Sequence, residues 1–393
     1  MRMLETEKLN DYFLSNDYSI VEVGDKADLV IISGCSVGTV VEENTNTEIN
    51  KWIESGKKLI ITGCVSPEKV KLWVAENKNI DYVSPTNMEK FDDLFTLNTI
   101  KWGQVEEAHS FSENTLCEKH YSTPKQVYSK NLSCFSKLIR NKALKQEDSA
   151  FNTQLERKNL KKERCFITIN TGCILKCSFC NTRNCIDECI SKTREKIVEE
   201  YSKLLEKGFR DFIFISEDIG SYGHDTGDNL PQLLHSLSNL SKNYFVRWQL
   251  DGLNPVWSVK YKEELLPLIR PGMINAITYP AQSGSTRILK LMNRYSDMVK
   301  FTENLKQFRE KYKLLRLYGV FMIGFPSETE EDFYDTLDFI KTINFDNVSF
   351  TSYSEFDQCD SAKIFPKISE NEKNQRLIIA KKFFKKINIA VKY

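Results

Sequence analysis

The cysteines between residues 165 and 189 are the residues whose spacing most directly indicates a reactive site. The chain has 11 cysteines in 393 residues, and six of them lie in this stretch of 25 residues. Cys173, Cys177 and Cys180 form the pattern Cys-x3-Cys-x2-Cys directly after an apolar run that predicts a β-strand. In a chain without a secretory signal, such clustering indicates metal or redox chemistry and argues against disulfides.

Three thiolates in one loop predict an iron–sulfur cluster with one open iron. Such clusters usually take four cysteine ligands, so a loop that offers three leaves one iron free. An open iron can bind the amino and carboxylate groups of S-adenosylmethionine (SAM) and pass an electron to its sulfonium. The sequence therefore predicts radical chemistry that begins with cleavage of SAM, which the cofactor carries out and the protein positions.

The same stretch also allows a zinc site. Cys177, Cys180, Cys185 and Cys189 give the spacing C-x2-C-x4-C-x3-C, which is compatible with four thiolate ligands. The strand just upstream, the aromatic Phe179 before the last cysteine of the trio and the long βα array downstream favour the iron–sulfur cluster. Under that interpretation Cys185 and Cys189 are expected to be free thiols.

Two more cysteines follow predicted strands in the first part of the chain. Over residues 1–99 short apolar runs alternate with helical patterns, which predicts a parallel sheet covered on both faces. Cys35 ends the run IISGC and Cys64 ends the run IITGC. Both are expected at the carboxyl edge of the sheet, where open α/β sheets bind ligands. A shared cluster site is favoured, and two small buried thiols are the alternative. The predicted strands are 18–23, 28–33, 58–62 and 80–84.

Residues 164–393 predict a second α/β domain. Six βα units in this length indicate an open, partial (β/α)6 barrel. The cysteine loop follows the first strand, at the carboxyl edge where barrel enzymes keep their active sites. The predicted strands are 165–170, 211–215, 245–250, 274–279, 316–323 and 347–352. The predicted helices lie near 193–207, 229–240, 261–269, 285–292, 298–311, 330–343 and 370–387.

Residues 100–163 lack a lasting apolar period and predict a basic linker. From 119 to 164 there are 12 Lys or Arg against 4 Asp or Glu, which favours a solvated linker over an RNA-contacting arm. The net charge of the whole chain is +1, so a protein that lives on nucleic acid alone is not favoured. With neither a signal peptide nor a long apolar span, the chain is expected in the cytoplasm.

The cysteine trio resembles the signature of the radical SAM enzymes, and other segments are similar to their methylthiotransferase family. The resemblance covers residues 1–99 and 165–390. The form of residues 216–234 and the CNTRN after the trio are most like the archaeal and eukaryotic branch, which modifies threonylcarbamoyladenosine in tRNA. The similar segments are SEDIGSYGHDTGDNLPQLL (216–234), PAQSGSTRILKLMNR (280–294) and GFPSETEEDF (324–333).

This resemblance implies a flavodoxin-like N-terminal domain that carries a second 4Fe–4S cluster on three cysteines. Cys35 and Cys64 match the second and third of these, and the cluster is thought to carry the sulfur that is inserted. SAM would serve as both methyl donor and radical source, with an electron donor such as flavodoxin or ferredoxin. The residues expected to line the SAM pocket are Phe179, Ser216, Glu217, Asp218 and Gln282; for Glu217 and Asp218 helix capping is the alternative.

Three departures from the family pattern bear on the substrate. The opening cysteine of the family would precede Met1 by two residues, and its small RNA-binding (TRAM) barrel would follow Tyr393. The Arg-Gly that normally follows the trio is Ile186-Asp187. The leading hypothesis is replacement of C–H by C–S–CH3 on a tRNA adenosine. The alternatives are a relative that modifies a peptide or a small molecule, and a non-catalytic iron–sulfur regulatory protein.

Overall fold

The structure is a computed structural model in which the chain forms two units. The first unit comprises Met1–Ser133 and Cys180–Cys189, and the second comprises Cys134–Phe179 and Ile190–Tyr393. No helix among the described residues is both long enough and apolar enough to cross a bilayer. The described residues are 2–21, 24–36, 38–110, 142–186, 188–386 and 390–392.

The first unit is built on a parallel sheet with helices on both faces, as the sequence predicts. Successive side chains of a strand point to opposite faces, so Ile60 packs with Tyr12 on one face while Leu59 and Ile61 pack with Trp52 on the other. Three strands in the order β1-β2-β3 form the sheet: β1 Leu29–Gly34, β2 Lys58–Gly63 and β3 Ile80–Tyr82. The helices are α1 Arg2–Leu14, α2 Thr39–Glu54, α3 Pro67–Glu76 and α4 Lys90–Leu94, and a short helix, Thr182–Cys185, also belongs to this unit.

The strand expected at 18–23 is wrong for the residues that are described, because 18–21 form no strand. Tyr18 packs its ring on Phe13 of α1 at 5.1 Å instead. A cavity of about 520 Å³ separates this segment from β1. Backbone N–H and C=O groups need partners, and among the described residues β1 pairs only with β2. The other edge of β1 is therefore left unpaired by this segment, which packs on α1 instead.

The second unit confirms the α/β architecture of a partial barrel and adds a strand to it. Its strands are parallel and lie in the order β12-β11-β10-β9-β8-β7-β4. Six strands were expected, and the seventh is the short β12, which pairs with β11. The strands are β4 Arg164–Thr168, β7 Asp211–Ile215, β8 Arg247–Asp251, β9 Ile274–Gln282, β10 Arg316–Ile323, β11 Asn347–Ser352 and β12 Ala390–Lys392; β5 Asn170–Thr171 and β6 Ile190–Ser191 form a separate antiparallel pair.

Helices cover this sheet close to the predicted positions. Every residue of β7 is buried, as expected for a parallel strand that is covered on both faces. The helix expected at 261–269 is instead two short pieces, Lys262–Leu265 and the 3-10 turn Leu266–Leu268, and a further short helix, Pro255–Lys260, precedes them. The other helices are Arg194–Glu206, Leu230–Leu240, Thr286–Leu291, Met298–Lys311, Glu330–Ile343 and Glu370–Lys386.

A helix over Lys142–Arg157, here called α5, lies where the sequence predicts a linker. It belongs to the second unit, so that unit begins before residue 164. Asp148, Phe151 and Leu155 are its buried residues, and their spacing of three and four positions places them on one helical face. The first of these three residues is a carboxylate, which breaks the apolar period, so the sequence pattern does not predict the helix. The predicted basic arm over 119–141 lies outside the described residues.

Asp148 joins two strands at the amino end of the sheet. Its Oδ1 accepts hydrogen bonds from Arg247 Nη1 at 2.7 Å and from Arg316 Nη2 at 2.8 Å. Arg247 begins β8 and Arg316 begins β10, and β9 runs between them. Arg247 also binds Asp211 at 2.6 Å and lies over the Phe151 ring at 3.9 Å. Buried charges of this kind are tolerated only when they are paired.

Asp148→Ala should destabilise the protein by about 3 kcal/mol, because it leaves two buried arginines without a shared partner. For a unit of this size the loss corresponds to a melting temperature lower by roughly 5–10 °C. Thermal denaturation measures it. Glu156→Ala is the matched control on the same helix, because Glu156 pairs with Lys162 at the surface, and it should leave the melting temperature unchanged. Equal melting of the parent and Asp148→Ala would contradict the assigned role.

Candidate functional site

The carboxyl ends of the strands in the second unit bring together the groups that the sequence singled out. Cys173 follows β5, and Ser216–Asp218 follow β7. Asn254 follows β8, and Gln282 ends β9. Parallel sheets and barrels place their ligand sites at this edge. The predicted location of the site therefore agrees with the fold.

The thiols of Cys173 and Cys177 are surrounded by hydrogen-bond donors. Cys173 Sγ accepts from the Leu175 N–H at 3.3 Å, and Ser221 Oγ lies 3.9 Å away. Cys177 Sγ accepts from Arg294 Nη1 at 3.4 Å. Burial, followed by the charge of Asp218, raises the pKa of the Cys173 thiol far above its usual range. N–H donors to sulfur are among the groups by which proteins tune iron–sulfur clusters, so the donor set fits such a group.

The thiols of the cysteine trio are not arranged as a complete set of metal ligands in this structure. Within the part of the chain that the structure describes, no group of three or more His, Cys, Asp or Glu side chains stands ready to hold a metal ion. Ligand side chains often come together only when the metal binds. The loop that carries the trio is therefore expected to tighten around a cluster.

Two buried polar atoms beside this loop lack partners. Asp218 is 3% exposed, and its Oδ2 accepts from Trp257 Nε1 at 2.7 Å and from the Ser221 hydroxyl. Its Oδ1 and the Ser216 hydroxyl oxygen are buried without a hydrogen bond. Buried polar atoms are nearly always paired in folded proteins, so this corner fits a polar ligand with donor groups, as the amino group of SAM would be.

Glu217 supports the cysteine loop directly. Its Oε2 accepts from the Gly172 N–H at 2.8 Å, next to Cys173. Helix capping by Asp218 is not observed, because its side chain makes no cap hydrogen bond to the 3-10 turn Ile219–Ser221. Glu217 therefore holds the backbone that presents the first cysteine, whereas its contact with SAM stays a prediction.

Phe179 and Gln282 lie at the same edge. The Phe179 ring packs edge-on against Phe325 at 6.4 Å. Gln282 has a φ of +71°, a left-handed conformation that is uncommon outside glycine and tends to occur at functional sites. Phe325 belongs to the 324–333 motif, in which the Gly324 N–H donates to Glu328 Oε2 at 2.8 Å and Glu328 is paired with Arg376. This motif is thus anchored by a buried ion pair and is more than a tight turn.

Arg294 is the main residue that the sequence did not single out. Its guanidinium contacts Cys177, the Pro280 carbonyl and Asn254. With the Asn254 amide oxygen turned toward it, the distances to Nη1 and Nη2 are 2.8 and 2.9 Å. A half-buried guanidinium is well suited to a carboxylate, such as that of SAM. The only signal in the sequence is that Arg294 ends the 280–294 motif.

The cysteines of the first unit lie at adjacent strand ends. Gly34 and Gly63 are register partners in β1 and β2, and Cys35 and Cys64 follow them. The Cys64 N–H donates to the Gly34 carbonyl at 3.0 Å. Cys64 is buried and Cys35 is half-buried. The expected pairing at one sheet edge agrees with the structure, and cluster binding there stays a prediction.

Cys185, which was expected to be a spare thiol, belongs to the same unit. Burial raises its pKa to about 12, and the nearby Cys64 and Glu42 add to this rise. The Ser36 hydroxyl faces the thiol and acts in the opposite direction. Cys185 is therefore surrounded by groups from the ends of β1 and β2 and by the start of α2.

Known families match two separate parts of the chain. The Radical SAM superfamily matches residues 167–340, and the Uncharacterized protein family UPF0004 matches residues 1–84. A ribosomal protein uS12 methylthiotransferase RimO from Shewanella sp. (strain W3-18-1) is 27% identical over 95% of this chain and 71% of its own length. The Shigella sonnei protein of the same description is 25% identical over 95% of this chain and 77% of its own. Among solved structures, the radical SAM methyltransferase TsrM from Kitasatospora setae covers 92% of this chain and 69% of its own, with 12% identity and a TM-score of 0.49.

Glu217→Ala should loosen the loop before Cys173, whereas Glu217→Gln keeps a carbonyl oxygen for the Gly172 N–H. The lost hydrogen bond is worth about 1–2 kcal/mol, so iron should leave the alanine variant roughly tenfold faster under a chelator. The glutamine variant should stay near the parent. The absorbance of the cluster during chelation measures both rates of iron loss. Equal rates for the alanine variant and the parent would contradict the assigned role of Glu217.

The Radical SAM match and the relatives that span nearly the whole chain agree with the cysteine trio and the polar corner beside it. Radical SAM methylthiotransferases use 4Fe–4S clusters and SAM as cofactors. The reaction of these enzymes is sulfur transfer with methylation. The chain is an iron–sulfur enzyme that resembles the radical SAM methylthiotransferases over 95% of its length.

Proposed function

We propose that this enzyme replaces a C–H bond of a polypeptide side chain by C–S–CH3, with a ribosomal protein as the first substrate to test. The supporting observation is that relatives named for methylthiolation of ribosomal protein uS12 align with 95% of the chain. The chain is also nearly neutral, with a net charge of +1, and strong RNA binding usually needs a basic surface.

In this proposal Cys173, Cys177 and Cys180 hold the cluster that, when bound, supplies an electron to the SAM sulfonium. Glu217 fixes the backbone before Cys173 through the Gly172 N–H. Arg294 donates to Cys177 and thereby keeps a positive charge beside the cluster loop.

The polar corner orients SAM. Asp218 Oδ1 and the Ser216 hydroxyl, which have no partners, accept from its amino group, and Arg294 pairs with its carboxylate. Phe179 and Gln282 line the remaining wall. Trp257 holds Asp218 in place through its Nε1 donor at 2.7 Å.

The sulfur source is assigned to the first unit. Cys35 and Cys64 help to hold the second cluster, and their position at adjacent ends of β1 and β2 supports this. A cytoplasmic location and reduction by a flavodoxin or ferredoxin complete the proposal.

The tRNA adenosine remains a second candidate substrate, favoured by the resemblance of residues 216–234. Within the basic segment α5 buries Asp148, Phe151 and Leu155, while Lys145 and Arg157 are exposed. Lys382 of the last helix is exposed as well and would be available to phosphates. Mass measurements on both kinds of molecule distinguish the candidates.

Cys177→Ala should reduce 5′-deoxyadenosine formation to background, because two thiolates cannot hold a cluster with a single open iron. Cys189→Ala is the matched control from the neighbouring segment and should cleave SAM at the parental rate. Chromatography of anaerobic reactions with dithionite measures the product. Parental activity in Cys177→Ala would refute the assignment of the trio.

A strain that lacks the gene should lose the mass of one CH2S unit from a ribosomal protein, while its tRNA nucleosides stay unchanged. Intact-protein mass spectrometry and nucleoside analysis of the same cells measure both. Restoring the gene should restore the mass, and restoring the Cys177→Ala gene should not. Loss of a methylthio-adenosine with unchanged ribosomal proteins would select the tRNA candidate instead.

A further inference from the structure

A buried contact in the first unit joins the segment after the cysteine trio to the sheet. Cys185 lies at the end of the short helix Thr182–Cys185 and packs with Cys64 and Ile186 in one buried cluster. Cys64 and Cys185 are each 5% exposed. Asn181 Nδ2 donates to the Ser36 carbonyl at 3.3 Å and holds the segment on the end of β1.

A second observation points to a ligand at this place. The Ser36 hydroxyl is 1% exposed and has no nitrogen or oxygen partner; the group that it faces is the Cys185 thiol. Buried hydroxyls are rarely left unpaired. A group that carries acceptors, such as the sulfides of a cluster, would satisfy it.

The geometry of the two strands sets the size of the site. Neighbouring strands lie about 4.8 Å apart, and Cys35 and Cys64 follow register partners on β1 and β2. Cys185 contacts Cys64 from outside the sheet. Cys64 and Cys185 thus lie in contact at this sheet edge, with the Ser36 hydroxyl beside the Cys185 thiol and with Cys35 at the end of the neighbouring strand.

We propose that Cys185 is a thiolate ligand of the second iron–sulfur cluster, in a site that it shares with Cys35 and Cys64. The proposal rests on the proposed function only for the presence of two clusters. Assembly releases the three thiol protons as the thiolates bind iron. Three ligands leave one iron open, and an external sulfide can bind there. The Ser36 hydroxyl then donates to a sulfur of the cluster.

The test uses the full chain with its radical cluster removed by Cys173→Ala, Cys177→Ala and Cys180→Ala together. After anaerobic reconstitution with ferrous iron and sulfide, this triple variant should hold about four irons per chain. Adding Cys185→Ser should reduce the iron at least fivefold, as adding Cys64→Ser should. Adding Cys189→Ser, from the same segment, should change nothing. Iron analysis and the visible spectrum provide the readout.

The outcomes separate this inference from the proposed function. Unchanged iron after Cys185→Ser would overturn the role of Cys185 alone. A triple variant without any iron would mean that no second cluster exists and would overturn both. A Cys64–Cys185 disulfide in the anaerobic chain, found by non-reducing peptide mapping, would also overturn the inference. Thermal melts of the iron-free variants verify that they are folded.

Discussion

The seven strands of the large sheet in the second unit all run in one direction, and this constraint decides where its functional groups lie. The cysteine loop, Asp218, Asn254 and Gln282 follow or end different strands, yet they meet because carboxyl ends share an edge. The opposite edge carries Asp148 with its two arginines. Chemistry and much of the charged packing are therefore assigned to opposite ends of the same strands.

The part of the site that is local in sequence could be predicted, and the part that depends on distant contacts could not. Cys173, Cys177 and Cys180 lie within eight residues, so their spacing alone indicates a shared ligand. Arg294 contacts Cys177, which lies 117 residues away in the sequence. Trp257 contacts Asp218, which lies 39 residues away. An arginine or a tryptophan in an isolated segment carries no signal for such a contact.

The fold was predictable where an element's own residues specify it. Apolar runs gave β7, β10 and β11 at their observed bounds. Two of the errors concern elements that depend on partners. The 18–21 segment is apolar enough for a strand but packs Tyr18 on Phe13 of α1 instead, and α5 contains a buried carboxylate that only distant arginines make acceptable. Likewise, a role for Cys185 can be inferred only from its contact with Cys64, which the sequence does not predict.

The hydrogen bond between Arg316 and Asp148 spans 168 residues, and this has a consequence for synthesis of the chain. At roughly 5–20 residues per second, the arginine is made on the order of ten seconds or more after the aspartate. During that time Arg247 has been made but Arg316 has not, so the Asp148 carboxylate can pair with only one of its two arginines. Because a partly paired charge is costly to bury, α5 is expected to dock late. The amino end of the sheet in the nascent domain is therefore expected to stay hydrated until β10 has left the ribosome.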